Sequence, residues 1–356
     1  MSAVLAATRG CHMPLCPNVT AATAAGSWSR ISSKDGLVYR PHTCRLVRPT
    51  ARAVRLCLKD RHLLFVGDSL QRYLYLTLAN LLVRGEWPRD LPAGERSPCY
   101  EGTYLPALAL NLSNAERWSY YFRGTNADLL GREICDCHRV GCCAEKVLNE
   151  NRYTKLAEGG AVSFVSQMGS AHWQPHGRVL PRGWAQMRQQ TSCEPGDCAS
   201  PDAGWTWAAP LPTFMGEVLP QLGVTDVLLN PGHHWDPDAN LPFMRQVFAA
   251  ARRGTARRAW WRTTTPRLRS GVVSPTSRVG FRLGIAGATQ LARQMQLGVV
   301  DVLTMLMHLN RNASFSFKEE AFIDGVHLAC SVNRELLIVI LNAVCDFHAL
   351  GKKGYI

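Results

Sequence analysis

The residues best able to do chemistry stand in two short segments near opposite ends of the chain. In Leu64-Phe65-Val66-Gly67-Asp68-Ser69-Leu70, an apolar run ends in a glycine, an acid and a serine. In Phe322-Ile323-Asp324-Gly325-Val326-His327-Leu328, a carboxylate stands three residues before a histidine. A serine beside an imidazole can serve as an acyl-accepting nucleophile, because the ring takes the hydroxyl proton as the oxygen attacks a carbonyl. Asp324, on a turn with His327, can hold the tautomer this requires. Each segment also has a plain alternative: Ser69 would make a good helix N-cap, and Asp-x-x-His fits a surface turn. Their joint presence in an α/β pattern favours Ser69, Asp324 and His327 as a catalytic set.

The elements that must position these groups are legible as hydrophobic pattern. Apolar, β-type runs recur at 62–66, 161–165, 224–230, 258–263 and 299–306, each followed by a helical pattern or a turn-rich loop. Strands alternating with helices imply an α/β fold with a parallel sheet covered on both faces. Leu70, Tyr73, Leu74, Leu78, Leu81 and Leu82 follow the spacing of an amphipathic helix, so Ser69 is expected at a strand-to-helix turn. Such a turn lies at the carboxyl edge of the sheet, where ligands bind in open α/β folds. Gly67 permits a tight turn. The helix directs its unsatisfied N–H groups and positive end at the Asp68-Ser69 step, which favours an oxyanion there. Asn230 and Gly232 end the third strand on the same edge. They could complete an oxyanion hole with the N–H of Ser69, or form a turn with an Asn cap and a glycine at positive φ. Arg262, ending the fourth strand, could contact an acceptor or a tetrahedral intermediate, or equally bridge to a structural carboxylate. A last helix is expected from about residue 331 to 345, with Val332, Leu336, Ile340 and Val344 on one face.

Composition bounds the rest. A chain of 356 residues with 46% apolar content can bury a sizeable core. One domain is expected over 28–348, after a disordered segment 1–27 and before a tail 349–356, with no internal repeat. Within it, 86–160 reads as a loop-rich insertion and 173–210 as an irregular lid or substrate-facing loop. The net charge is +13, but 33 of the 40 basic residues are arginines scattered along the chain, which argues against a nucleic-acid stripe and leaves attraction to acidic glycans or membrane surfaces. No stretch reaches the roughly 18 to 20 apolar residues that span a bilayer. Thirteen cysteines, with sequons at Asn18, Asn111 and Asn312, point to an oxidising lumen although no targeting signal is recognisable. The expectation is therefore that a signal or anchor is missing or has diverged. Cys193 is expected to pair with Cys198, and one bridge to involve Cys330 or Cys345. Two groupings resemble metal sites. His233, His234 and Asp236 read better as packed histidines beside the site, and Cys135, Cys137, His138, Cys142 and Cys143 better as disulfide cysteines, so no metal is expected.

Several blocks occur in an order that resembles one family. Tyr39-Arg40-Pro41 with Cys44, then Cys57-Leu58, precede Phe65-Val66-Gly67-Asp68-Ser69-Leu70-Gln71-Arg72. Leu229-Asn230-Pro231-Gly232-His233-His234-Trp235 and Trp261-Arg262-Thr263-Thr264-Thr265-Pro266 follow, and Asp324-Gly325-Val326-His327 closes the series. Together they are similar to the PC-esterase family, GDSL/SGNH-like acyl-esterases that include plant trichome-birefringence-like polysaccharide O-acetyltransferases and the luminal domain of sialate and capsule O-acetyltransferases. The resemblance covers about residues 39 to 345, and 86–160 holds no matching block. It implies an SGNH-hydrolase-like three-layer α/β/α sandwich and acyl transfer, acetyl by analogy, to or from a glycan or other hydroxyl through acyl-Ser69. An acetyl donor would be a co-substrate with no cofactor bound, and the location would be the secretory pathway, in the Golgi lumen or membrane-associated. Plain ester hydrolysis and a catalytically silent glycan-binding protein are the alternatives on the same fold.

Overall fold

The computed structural model describes residues 13–32, 36–88, 152–166, 184–188, 205–221, 223–230, 232–234, 241–255, 257–275, 279–311, 318, 320–322 and 325–352. Helix α1 (Val19–Ala24) leads into an antiparallel pair, β1 (Gly26–Ser32) and β2 (Gly36–Pro41), and then into α2 (Ala51–Cys57). Strand β3 (His62–Gly67) enters the central sheet and feeds helix α3 (Ser69–Arg84). Strand β4 (Arg152–Lys155) runs antiparallel to β5 (Ala161–Ser166), which is parallel to β3. Outside that sheet, β6 (Trp184–Arg188) and β7 (Trp205–Pro210) pair antiparallel. A helical segment over 211–221, with a π-turn at Phe214–Val218, leads to β8 (Asp226–Asn230) and helix α4 (Leu241–Gly254). Strand β9 (Arg258–Arg262) precedes a small hairpin, β10 (Arg267–Arg269) with β11 (Val272–Ser274). Helix α5 (Val279–Gln294), strand β12 (Gly298–Val300), helix α6 (Val302–Met307), helix α7 (Cys330–Val344) and helix α8 (Phe347–Lys352) follow.

The main sheet has the order β12-β9-β8-β3-β5-β4, parallel except for β4. Its strands alternate side chains between two apolar layers. Leu63, Phe65, Leu228 and Trp260 face the layer that holds α3, α6 and α7; Leu64, Val66, Leu229 and Trp261 face the layer of α4, α5 and the 211–221 segment. Both faces being covered explains why β3 and β8 are buried along their whole length and read as continuous apolar runs. The expected α/β class with a mainly parallel sheet is what the chain forms.

Several boundaries differ from the sequence reading. The run 299–306 is a three-residue strand followed by a helix, because Asp301 caps α6, its Oδ1 accepting the N–H of Thr304 at 3.1 Å. Periodicity alone does not separate a buried strand from a buried helix in so short an apolar run. The segment 1–27 is not wholly disordered: from residue 13 it carries α1, with Asn18 as N-cap, and the Cys16–Cys44 disulfide that ties it to the loop after β2. The stretch 173–210 contains the β6–β7 pair, and 86–160 contains β4. The start of the expected tail belongs to α8.

A second disulfide, Cys57–Cys345, fastens α2 to the end of α7 across 288 residues of sequence. Beside it, buried Arg61 donates to Asp226 through two nitrogens at 3.1 and 2.7 Å and to the carbonyl of Val344 at 3.0 Å. Cys330 is buried and belongs to neither described disulfide. Cys193 and Cys198 lie outside the described residues, as does the cysteine cluster from Cys135 to Cys143.

Candidate active site

Strand β3 delivers its last residue, Gly67, into register with Asn230 of β8, and the chain turns at once into α3. A Cβ at Gly67 would run into the backbone oxygen of Asn230 and the Cγ of Gln71. The glycine is therefore required by close approach rather than by a left-handed backbone. Asp68 caps the helix, its Oδ1 accepting the N–H of Leu70 at 3.0 Å. Its other oxygen accepts the N–H of His233 at 2.9 Å, so one buried carboxylate joins the helix start to the loop after β8. Gly232 in that loop has φ +68°, and a Cβ there would overlap the same carboxylate. Ser69 then occupies the first helical position, where the ladder supplies no acceptor for its N–H and the helix end is positive.

His327 arrives from the far end of the sequence. Its loop is pinched by an antiparallel bridge between Phe322 and Leu328, and Gly325, at φ +78°, accepts the N–H of Leu268 in β10 at 2.8 Å. Asn333, in the first turn of α7, donates to the carbonyl of Leu328 at 3.0 Å. The ring edge packs on Tyr73 of α3, with centroids 5.0 Å apart and planes at 89°. Held so, His327 Nε2 lies 2.7 Å from the hydroxyl of Ser69. That is hydrogen-bond distance between a hydroxyl and the base that would take its proton. Asp324 lies outside the described residues.

Beneath this pair runs a buried polar network. Asn230 donates from Nδ2 to the carbonyl of Arg262 at 2.9 Å and to Thr264 Oγ1 at 3.0 Å. Its Oδ1 accepts the N–H of Gly232 at 3.0 Å and an Arg262 guanidinium N–H at 2.7 Å. Arg262 Nε donates to Gln71 Oε1 at 3.0 Å, and Gln71 Nε2 donates to the carbonyl of Leu228 at 2.8 Å. Arg262 is fully enclosed, and desolvation drives its pKa down to about 10, opposed by the charge of Asp68. A depression of that size means a penalty of roughly 3 kcal/mol on the charged form. Among the described residues no carboxylate oxygen bonds its guanidinium directly.

These bonds revise two expected roles. Both amide hydrogens of Asn230 are already engaged, so its side chain has none to offer an oxyanion; it holds Gly232 and Arg262 in place instead. Arg262 is fully buried and, among the described residues, bonds no carboxylate, so in this conformation it makes neither direct contact with an acceptor nor a simple structural ion pair. Gly232 has the positive φ of a turn glycine and donates its own N–H to Asn230, so it is not the expected oxyanion donor, whereas the N–H of Ser69 at the first helical position has no acceptor from the helix ladder. His233 stands beside the site through its backbone bond to Asp68, while Asp236 lies outside the described residues. Among the described residues no group of three or more His, Cys, Asp or Glu could hold a metal ion.

Gln71, Tyr73 and Thr264 were not singled out by the sequence. Tyr73 is indistinguishable there from the rest of the apolar stripe. Gln71 stands in the 65–72 block without a role assigned there; the structure buries it wholly, which requires partners for its amide. No protein-family model matches the chain, and no curated protein matches it significantly. Among the described residues no helix is long and apolar enough to cross a membrane, and the two disulfides are compatible with a secreted or lumenal protein.

Proposed function

We propose that the chain is a serine-dependent acyl-enzyme of the SGNH type, similar to the PC-esterase family, which moves an acyl group to or from a hydroxyl of a glycan. The observation that carries the reading is the 2.7 Å contact between the Ser69 hydroxyl and His327 Nε2 at the positive end of α3. In the first half-reaction Ser69 Oγ bonds to the carbonyl carbon of an acyl ester or thioester as His327 takes the hydroxyl proton. The tetrahedral oxyanion is stabilised by the N–H of Ser69 and the helix end. It collapses as the bond to the leaving group breaks and His327 returns the proton to that group, which leaves acyl-Ser69. An acceptor hydroxyl then attacks the acyl carbon and gives its proton to His327, and Ser69 departs and is reprotonated. With water as the acceptor the same cycle is hydrolysis. Asp324 is assigned the orienting role on His327. Acetyl as the acyl group, a polysaccharide acceptor and a Golgi-lumenal location rest on the family resemblance.

The test is mass spectrometry of the intact protein after exposure to an activated acetyl ester. One acetyl group on the peptide that holds Ser69 is expected, lost in Ser69→Ala and in His327→Ala; Ser69→Ala should stay folded, because Asp68 rather than Ser69 caps α3 and alanine is the best helix former. Members of such a set act as a unit, so the double variant should be scarcely worse than either single one. Full turnover by Ser69→Ala would overturn the assignment.

A further inference from the structure

We infer that Arg262 is the positioning residue of this site, a wholly buried guanidinium that locks Gln71 of α3 to Asn230 of β8 and fixes a positive charge against the first turn of the nucleophile helix. The inference rests on the acyl-enzyme reading above and deepens it.

Three observations carry it. First, the guanidinium reaches both walls of the site: Nε donates to Gln71, two residues after Ser69, and a terminal nitrogen donates to Asn230, whose Oδ1 also takes the N–H of Gly232. Moving Arg262 therefore moves the helix start and the loop after β8 together. Second, a buried cation ordinarily has a bonded carboxylate, because its desolvation is otherwise uncompensated. Arg61 keeps the rule, bonding Asp226 through two nitrogens. Arg262 instead has three neutral oxygens as acceptors, with Asp68 near enough to act on it through space but not bonded to it. Its charge is thus left without a bonded carboxylate against the first turn of α3, and a preorganised charge in a low-dielectric surrounding acts strongly on charge that develops nearby. Third, the partners are themselves buried and engaged: Gln71 holds the carbonyl of Leu228, and Asn230 holds Thr264.

A residue that acts through Asn230 and Gln71 should set the rate of reaction at Ser69 rather than the affinity for what reacts. An alkyl fluorophosphonate tests this without knowledge of the natural substrate. Ser69 Oγ bonds to phosphorus, the P–F bond breaks, fluoride leaves, and His327 takes the hydroxyl proton. The maximal labelling rate and the half-saturating probe concentration are measured per folded molecule on the wild type, Arg262→Met, Arg262→Lys and Ser69→Ala. For Arg262→Met the maximal rate should fall on the order of 10²-fold, the scale of losing a preorganised electrostatic contact, with half-saturation changed less than about threefold. Arg262→Lys, which keeps the charge but not the planar fork, should recover about tenfold of that loss. If Arg262→Met does not fold, Arg262→Lys decides alone, through a rate about tenfold below wild type at unchanged half-saturation. Folded variants that label at the wild-type rate would overturn the inference and leave Ser69 as the nucleophile. A wild type that labels no faster than Ser69→Ala would overturn the acyl-enzyme reading itself.

Discussion

Gly232→Ala isolates the junction between α3 and the loop after β8. Two costs add at this position. An L residue at φ +68° pays about 1–2 kcal/mol for the left-handed backbone. The new Cβ also overlaps the Asp68 carboxylate, so carboxylate and loop must separate, and the bond from the His233 N–H to Asp68 is lost. A hydrogen bond to a charged group is worth about 1.5–3 kcal/mol. The sum is about 2.5–5 kcal/mol, which for a chain of this length lowers the melting temperature by roughly 3–7 °C. Gly223 supplies the control. It has φ +64° with open space around its Cβ position, so Gly223→Ala bears the backbone cost alone and should lose only ~2 °C. The two proteins are compared by thermal melting and by fluorophosphonate labelling of Ser69. Gly232→Ala should also label more slowly, on the order of 10²-fold if the helix start shifts by about 1 Å, whereas Gly223→Ala should label normally. Equal melting temperatures for the two variants, with wild-type labelling in both, would refute the claim that Asp68 holds the site together through this loop.

Asn230→Ala should lower stability and labelling together, because the amide holds Arg262 and Gly232 as well as serving the site; a loss of labelling with an unchanged melting temperature would restore the oxyanion-donor role. Opening the Cys57–Cys345 ring, which closes 288 residues, should cost ~6 kcal/mol on chain entropy, read as a drop in the urea midpoint of Cys57→Ser/Cys345→Ser; an unchanged midpoint would count against that bridge. His308 is buried against Tyr39, and desolvation followed by the charges of Arg311 and His42 lowers its pKa below the usual 6.5. The unfolded chain therefore binds the proton first as pH falls below that value, so stability should decline from pH 6.5 toward the folded-state pKa. Urea titrations at a series of pH values should show this slope in the wild type and lose part of it in His308→Gln.

Much of the sheet was legible because its strands are buried on both faces. His62 to Val66 and Val224 to Asn230 stand out as apolar runs, and the helix after Ser69 follows from leucine spacing that only one period fits. Elements that pack on one side, or pair outside the main sheet, left weaker marks. The β1–β2 pair contains Ser29, Arg30 and Ser32, and β10–β11 spans three residues a strand, too short for alternation to register. The 299–306 run misled because Asp301 looks like an interruption within a strand, whereas it is the cap that starts α6.

The site divides along the same line. Residue types that do chemistry announce themselves, which is why Ser69 and His327 could be chosen at opposite ends of the sequence and are found at hydrogen-bond distance. What such residues do depends on which hydrogens remain unengaged, and that is a property of neighbours. Asn230 looks like a donor until Thr264 and the Arg262 carbonyl take both its amide hydrogens. Arg262 looks like a substrate contact until its burial and its bonds to Gln71 and Asn230 are counted. Both residues give up a direct role for the same physical reason: a fully buried amide and a fully buried guanidinium must satisfy their donors internally, whatever lies above them. The lattice that satisfies them also sets the position of the Ser69 helix start against the Gly232 loop, so the stability of the network and the reactivity of the serine should rise and fall together in every variant that breaks one of its bonds.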